Sequence, residues 1–330
     1  MIKRIAGGIS LVLAVLMLAS FIAGQAQNAA EPAQTGAGSG APPLSNPLKV
    51  ALLKWYAANT TTRFSVGQEP EGIAFDGANI WVANYGDATV SKLRANDGAN
   101  LGTFNVGSQP VGLAFDGANI WVANNASNTM IKLRGSDGTV LGTFSVGRGP
   151  FLPAFDGENI WVPTATSVYK LRANDGKVLG NYSVGVAPTA AAFDGSSVWV
   201  TNNGSANVTK LRASDGAVLG TFSVGANPLG IAFDGANIWV ANRGDGTVSK
   251  LRASDGTALG TFFVRLGPYG VAFDGTDILV TSDLGNVTEV RASDGAVVGY
   301  VNVGANATGI AFDGANVWVS GFDKNYVSKL

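Results

Sequence analysis

Short apolar runs separated by polar turns follow one another along most of the chain. Residues 110–147 contain four such runs, at 111–115, 119–123, 129–133 and 140–146. They are rich in β-branched and aromatic residues, which favour strands. Asp-Gly pairs stand between the first and second runs and between the third and fourth, and this dipeptide is typical of tight turns. The segment therefore predicts four short antiparallel strands.

The same sequence repeats at a nearly constant interval. Seven copies of a phrase that begins Ala-Phe-Asp-Gly are separated by steps of 40, 40, 38, 40, 40 and 39 residues. A four-stranded unit repeated at this period is the blade of a β-propeller. We therefore predict an all-β fold, a seven-bladed β-propeller of four-stranded antiparallel blades over residues 61–330. The copies are marked by Phe75, Phe115, Phe155, Phe193, Phe233, Phe273 and Phe312.

One strand position carries Trp in six of the seven copies and Leu279 in the sixth copy. A large aromatic side chain buries on the order of 150–250 Å². A residue repeated in this way therefore indicates packing between stacked blades, and an aromatic cage for a ligand is the alternative interpretation. The tryptophans are Trp81, Trp121, Trp161, Trp199, Trp239 and Trp318.

The two ends of the repeat region complement each other. The last copy supplies three strands, at 309–313, 316–320 and 326–330. A sequence that matches the fourth strand of the repeat precedes the first copy, at 61–67. We predict that this N-terminal strand completes the seventh blade, because closure removes exposed sheet edges. Deleting residues 327–330 is then expected to destabilise the ring.

A Lys-Leu-Arg triplet ends the predicted third strand in five copies, from Lys92 to Arg94 in the first and from Lys250 to Arg252 in the last. An Asp follows in the next turn each time, which favours a local ion pair or hydrogen bond. A basic ring that attracts an anionic surface is the alternative.

The sequence of the second strand and of the loop after it resembles a known repeat family. WVANYGDATVSKL at 81–93 and WVTNNGSANVTKL at 199–211 resemble the YVTN family of β-propeller repeats. The resemblance covers residues 61–330 and extends to the NHL-type and streptogramin-lyase-like seven-bladed propellers. It implies the propeller fold and says little about function, because it names scaffold positions. The lyases of that group use a catalytic His, which this chain lacks, so their activity is not carried over.

Composition removes several classes of chemistry. The chain has no His and no Cys, which excludes Ser-His-Asp hydrolysis, His-bound zinc and thiolate catalysis. A formal net charge of -1 gives no electrostatic support for binding nucleic acid. We expect no cofactor and no bound metal.

The first 60 residues have no copy of the repeat. Lys3 and Arg4 precede an apolar run that ends in small residues, which is the layout of a secretory signal peptide over residues 1–26. An uncleaved membrane anchor is the alternative. Residues 27–47 are rich in Ala, Pro and Gly and predict a flexible tether, and residues 48–60 predict a short helix or plug. The expected location is extracytoplasmic, whether periplasmic, secreted or at the cell surface.

Function is expected where the seven copies disagree. A propeller places its fourth-to-first and second-to-third connections on one face, the top face, and loops on a rigid scaffold commonly carry function. Glu69 and Glu71 form a possible acid/base or metal pair, with solvated loop carboxylates as the alternative. Gln68, Gln109, Phe322 and Lys324 are further departures from the repeat. The candidate ligand- or partner-binding residues are Glu69, Glu71, Tyr85, Asp87, Arg148, Phe151, Arg243, Asp245, Arg265, Tyr269, Asp283 and Asp323.

Three functions remain open. The favoured one is non-enzymatic binding of a protein or a small polar ligand by the top-face loops of a monomer. The alternative is a metal-assisted hydrolase or lyase that uses carboxylates at the central channel. A structural spacer of the cell envelope is the third.

Overall fold

A computed structural model describes residues 61–304 and 306–330, so the predicted signal peptide, tether and plug lie outside the described residues. The described chain forms seven sheets of four antiparallel strands. The first strand of each sheet contacts the first strands of its two neighbours, which closes the sheets into a ring. The predicted all-β, seven-bladed propeller is confirmed. We find no helix with the length and hydropathy of a membrane span in residues 61–304 and 306–330.

Blades 1 to 3 follow in chain order. Blade 1 consists of β2 (Pro70–Phe75), β3 (Asn79–Asn84), β4 (Thr89–Arg94) and β5 (Asn100–Asn105). Blade 2 consists of β6 (Pro110–Phe115), β7 (Asn119–Asn124), β8 (Thr129–Arg134) and β9 (Val140–Ser145). Blade 3 consists of β10 (Ala154–Phe155), β11 (Asn159–Pro163), β12 (Val168–Arg172) and β13 (Val178–Tyr182).

Blades 4 to 7 complete the ring. Blade 4 consists of β14 (Pro188–Phe193), β15 (Ser197–Asn202), β16 (Asn207–Arg212) and β17 (Val218–Ser223), with a single 3₁₀ turn at Asn203–Ser205 among the described residues. Blade 5 consists of β18 (Pro228–Phe233), β19 (Asn237–Asn242), β20 (Thr247–Arg252) and β21 (Ala258–Phe263). Blade 6 consists of β22 (Pro268–Phe273), β23 (Asp277–Ser282), β24 (Asn286–Arg291) and β25 (Val297–Asn302). Blade 7 consists of β26 (Ala307–Phe312), β27 (Val317–Gly321), β28 (Tyr326–Lys329) and β1 (Thr62–Ser65).

The N-terminal strand closes the ring as predicted. Strand β1 pairs antiparallel with β28, and Phe64 lies opposite Val327. The ring of Phe64 packs on Trp318 of its own blade at a centroid distance of 5.5 Å. It also covers Gly98 of blade 1, where φ is +72° and an added Cβ would collide with the ring. One side chain of the closing strand therefore joins the last blade to the first.

The first strand of blade 3 is shorter than the repeat predicts. Strand β10 has two residues, whereas the corresponding strands of the other blades have six. Pro153 precedes it and has no N–H group with which to extend the ladder. Leu152 instead forms a parallel bridge with Ala190 of blade 4.

The tryptophan column lies between the blades. The six tryptophans of this column are fully buried. Trp81 and Val90 of blade 1 pack against Ile120, Val122 and Leu133 of blade 2, and this arrangement recurs around the ring. The interpretation as inter-blade packing is confirmed, and the column offers no cage to a ligand.

The Asp-Gly turn after the first strand also holds the tryptophan. Asp76 Oδ1 accepts hydrogen bonds from the backbone N–H groups of Ala78 and Asn79, at 2.9 and 2.6 Å, and Oδ2 accepts one from Trp81 Nε1 at 2.8 Å. Burial opposes ionisation, but the hydrogen bonds from Trp81 and Asn79 keep the pKa of Asp76 below its ordinary value. The repeated phrase is therefore a structural unit in which one carboxylate shapes the turn and orients the indole.

The lysine of each Lys-Leu-Arg triplet has a different role from the predicted local ion pair. Lys132 is buried, and its Nζ donates to the carbonyl oxygens of Ala173 and Asn174 in blade 3, at 2.7 and 3.2 Å. Lys132 Nζ also lies 3.9 Å from Asp116 Oδ2 in its own blade. The local interpretation, a pair with the Asp of the following turn, is therefore wrong for the lysines, because their hydrogen-bond acceptors lie in the next blade. It is confirmed for the arginines, as in the exposed pair of Arg134 with Asp137 at 3.0 Å.

Candidate functional site

Seven equivalent side chains surround the top mouth of the central channel. Each lies four residues before the Phe that marks its copy of the repeat. The seven residues line cavities at the mouth. Because the ring places equivalent positions around one axis, any departure at this position faces the same space. The seven residues are Glu71, Val111, Phe151, Thr189, Leu229, Tyr269 and Thr308.

A second set of residues occupies the loops that follow the second strand of each blade. The backbone holds them in place, since the N–H of Tyr85 donates to the carbonyl of Glu69 at 3.0 Å and that of Asp283 donates to Gly267 at 3.0 Å. This set also differs from blade to blade and includes charged, aromatic and amide side chains. Its members are Tyr85, Asn125, Ala165, Asn203, Arg243, Asp283 and Phe322.

The two sets enclose a cavity of about 310 Å³ at the mouth, which we call the mouth cavity. A neighbouring depression of about 550 Å³ shares Phe151, Arg243, Tyr269 and Asp283 with it. The wall of the mouth cavity combines aromatic rings with one basic and two acidic side chains, a composition suited to a small polar ligand. The lining residues are Glu71, Tyr85, Val111, Asn125, Phe151, Arg243, Tyr269, Asp283, Asn306, Thr308 and Phe322.

Glu71 is a buried carboxylate in this wall, with 6% of its surface exposed. Tyr269 of blade 6 donates its phenolic hydrogen to Glu71 Oε1 of blade 1, across the position of blade 7. Burial raises the pKa of Glu71 to about 7; the hydrogen bond from Tyr269 opposes this shift and the charge of Glu69 adds to it. Burial and the charge of Glu71 also raise the pKa of Tyr269. The pair therefore stays a phenol donating to a carboxyl group at neutral pH.

Arg243 and Asp283 form an ion pair at the cavity wall. Arg243 Nη2 and Nε lie 2.7 and 3.1 Å from Asp283 Oδ2, and the side chains are 50% and 26% exposed. Asp283 Oδ1 is buried without a hydrogen-bond partner in residues 61–304 and 306–330, and so is Asn306 Oδ1. Two acceptor oxygens of cavity-lining residues thus lack a partner within the described protein.

Aromatic side chains form another part of the wall of the mouth cavity. The rings of Tyr85 in blade 1 and Phe322 in blade 7 have centroids 6.1 Å apart and planes inclined at 51°. Phe151 and Tyr269 line the same cavity from blades 3 and 6. Burial raises the pKa of Tyr85, with further contributions from Glu71 and Glu69, which places this ring in the field of both carboxylates.

The structure brings together six of the predicted site residues in the mouth cavity: Glu71, Tyr85, Phe151, Arg243, Tyr269 and Asp283. Glu69 differs from these six in lying on an exposed loop, although its charge reaches the Glu71 carboxyl. Its backbone there accepts a hydrogen bond from Tyr85 and donates one to the side chain of Asn325. The acid/base or metal pair of neighbouring carboxylates therefore stays a prediction.

Three other predicted residues clamp top-face loops. Asp87, Asp245 and Asp323 accept hydrogen bonds from the backbone N–H groups of Gln68, Ala226 and Asn306, at 2.6, 2.6 and 2.8 Å. Ser127 and Ser205 do the same in blades 2 and 4, at 2.6 and 3.0 Å. Since the contact recurs with a shorter side chain, it belongs to the scaffold.

Arg148 and Arg265 lie away from the mouth cavity. Arg148 is exposed, and its backbone carbonyl accepts a hydrogen bond from Ala165 at 2.8 Å. Arg265 lies over the ring of Tyr300 on the outer strand of blade 6, with 4.0 Å between the guanidinium carbon and the ring centroid.

Sequence reasoning missed Val111, Asn125, Asn306 and Thr308 as cavity residues. Val111 and Thr308 occupy the same repeat position as Glu71, and Asn125 occupies that of Tyr85. Comparing equivalent positions across all copies would have found these three. Ordinary-looking residues escaped notice because only unusual residues were sought.

The central channel below the mouth is narrow and mainly apolar. A cavity of about 160 Å³ is lined by small and aliphatic residues from the first strands, with Glu71 and Tyr269 at its upper end. Within the described part of the chain, no cluster of three or more acidic side chains has the arrangement of a metal site.

Comparisons with known proteins identify the fold and no family. No protein-family model matches the chain, and no curated protein sequence matches it. The Kuenenia stuttgartiensis hydrazine synthase structure has a TM-score of 0.69 and 17% identity, covering 81% of this chain and 96% of that one. The U3-55K structure has a TM-score of 0.74 and 13% identity, covering 82% of this chain and 97% of that one. Likeness at these identities shows the propeller fold alone, and the YVTN-family resemblance stays a prediction.

Proposed function

We propose that this protein is a non-enzymatic binding module whose recognition site is the mouth cavity on the top face. The observation that carries the proposal is the convergence of Glu71, Tyr85, Arg243, Tyr269 and Asp283 on one cavity from three blades. These residues depart from a repeat that is otherwise nearly uniform. Their meeting in one cavity supports recognition, because small-molecule sites combine aromatic or apolar walls with a few convergent polar groups.

The scaffold favours binding through preorganisation. The mouth residues stand on strand ends and on loops held by backbone hydrogen bonds, such as that of Tyr85 N–H to Glu69 at 3.0 Å. Holding the side chains in place before the ligand arrives reduces the entropy lost on binding. A small polar ligand, or a side chain presented by a partner protein, suits the size and polarity of the cavity.

The proposed place of action is outside the cytoplasm, in the periplasm, at the cell surface or in the medium. The support is the signal-peptide pattern of residues 1–26. Cell fractionation combined with the intact mass of the purified protein tests this. We expect an extracytoplasmic protein that lacks residues 1–26, and a cytoplasmic protein that retains them contradicts the assignment.

A thermal-shift screen with a library of small polar compounds and peptides tests the binding function. We expect a subset of compounds to raise the melting temperature of the wild type. The Tyr85→Ala variant removes one wall of the mouth cavity and is expected to lose that response. Val186→Ala, at an exposed loop residue outside the mouth cavity, is the control and should keep it. Equal shifts in wild type and Tyr85→Ala, or no shift with any compound, would contradict the proposal.

A second candidate function, a hydrolase or lyase, has one observation in its favour. The pKa of Glu71 is raised by burial to about 7, a value suited to a general base at neutral pH. Assays with ester, lactone and glycoside substrates, with and without added divalent cations, test it. Turnover abolished by Glu71→Gln would replace the binding module with an enzyme.

A further inference from the structure

The mouth cavity contains one carboxylate whose charge the protein does not balance. Arg243 is the one basic side chain in the described wall of the cavity, and it is already paired with Asp283 at 2.7 Å. Glu71 receives its hydrogen bond from Tyr269, a neutral donor. An ionised carboxylate buried without a cation is costly, so its surroundings favour a positively charged partner.

The walls beside Glu71 are rings whose faces attract cations. Tyr85 and Phe322 pack as a tilted aromatic pair, with centroids 6.1 Å apart and planes inclined at 51°, and both line the mouth cavity. A cation within about 6 Å of an aromatic face is stabilised by the quadrupole of the ring. The protein uses this interaction in its own scaffold, where Lys92 Nζ lies 4.9 Å from the ring of Trp81.

From this arrangement we infer that the mouth cavity binds an organic ammonium cation, with Glu71 as counter-ion and the rings of Tyr85 and Phe322 as walls. The inference rests on the proposed binding function and names the chemical class of its ligand. An alkylated ammonium suits apolar rings that offer few hydrogen bonds, whereas Ca²⁺ and Mg²⁺ need several oxygen ligands. The volume of about 310 Å³ lies at the lower end of the roughly 300–1,000 Å³ range of small-molecule sites.

Binding is expected to depend on pH through Glu71. The groups that face this carboxyl are Tyr269, Tyr85 and Glu69, and Arg243 and Asp283 lie near Tyr269. A cation binds the ionised form of Glu71, whose pKa is about 7. The affinity should therefore rise about tenfold from pH 6 to pH 8, as the ionised fraction does.

Calorimetric titration with choline and with its neutral isostere 3,3-dimethylbutan-1-ol tests the inference. Choline is expected to bind at least about tenfold more tightly than the isostere, a difference of about 1.4 kcal/mol. Acetate serves as the anionic probe, and the same measurements are made at pH 6 and pH 8.

Two pairs of variants assign the effect to residues. Glu71→Gln keeps an acceptor for Tyr269 and removes the charge, so the affinity for choline should fall about tenfold or more and lose its pH dependence. Glu158→Gln is the matched control, since this carboxylate is exposed and lies outside the mouth cavity, and should stay within about threefold of wild type. Tyr85→Phe should keep the binding of choline, and Tyr85→Leu should weaken it.

The possible results separate the cation from the binding function. Equal affinities for choline and its isostere, tighter binding of acetate, or an unchanged affinity in Glu71→Gln overturns the ammonium ligand. The binding module survives these results if compounds from the thermal-shift screen still depend on Tyr85. The absence of any response to all probes and library compounds overturns both proposals.

Discussion

Replacing Glu71 with glutamine is expected to stabilise the propeller at pH 8 and to leave its stability near pH 4.5 almost unchanged. Glutamine is nearly isosteric with the protonated carboxyl and still accepts the hydrogen bond of Tyr269. The substitution therefore removes one property of the side chain, its ability to ionise in a buried place.

The magnitude follows from the raised pKa. Burial raises the pKa of Glu71 from 4.5 to about 7, so between these values the folded protein holds a proton that the unfolded chain has lost. The free energy of unfolding consequently falls as the pH rises through this window and stays low above it. At about 1.4 kcal/mol for each pH unit, the wild type loses about 3 kcal/mol that Glu71→Gln keeps.

Guanidinium unfolding of both proteins at pH 4.5, 6 and 8 measures the effect. The difference between variant and wild type should grow from near zero to about 3 kcal/mol, and other titrating groups cancel in it. Glu158→Gln, at an exposed carboxylate outside the mouth cavity, should show a difference below about 0.5 kcal/mol at each pH. A constant difference between Glu71→Gln and wild type, or one that falls as the pH rises, would refute the reasoning.

Three further outcomes are expected for the scaffold and the mouth. Lys132→Met should lower the free energy of unfolding by about 3 kcal/mol in guanidinium titrations, because two carbonyls of blade 3 lose a charged donor. Phe64→Ala should cost about 2–3 kcal/mol by the same measurement and increase proteolysis of the N-terminal strand, since the ring joins blade 7 to blade 1. Arg243→Ala breaks a half-exposed ion pair with Asp283, so the free energy of unfolding measured by scanning calorimetry should fall by less than about 1 kcal/mol.

Matched variants control the first two of these. Arg134→Met removes an exposed ion pair of the same triplet and should cost less than about 1 kcal/mol. Equal losses for Lys132→Met and Arg134→Met would show that the lysine does not link the blades. Phe104→Ala removes the corresponding ring from blade 1, and equal N-terminal proteolysis in both phenylalanine variants would contradict a special role for Phe64 in closure.

The scaffold was largely predictable because its determinants are local. Asp76, Asn79 and Trp81 interact within five positions along the chain, so their pattern predicts the turn and the strand together. Ring closure was also predictable, since the sequence of the fourth strand that blade 7 lacks is found at the opposite end of the repeat region.

The lysine contact was not predictable from its neighbours. Lys132 stands beside Leu133 and Arg134 and close to Asp137, which favours a local ion pair. Its acceptors are Ala173 and Asn174, about one repeat further along the chain. The contact appears when two blades stack, and the sequence of a single blade does not contain it.

Period, strand pattern and turn residues each act within one copy of the repeat, so the amino-acid sequence alone established the seven-bladed ring and the top face as its variable side. The mouth cavity needed the folded ring. Glu71 and Tyr269 are 198 positions apart, and they meet because closure places blades 6 and 1 on either side of blade 7. The raised pKa of Glu71 is likewise a property of burial by distant segments, which no stretch of neighbouring residues reveals.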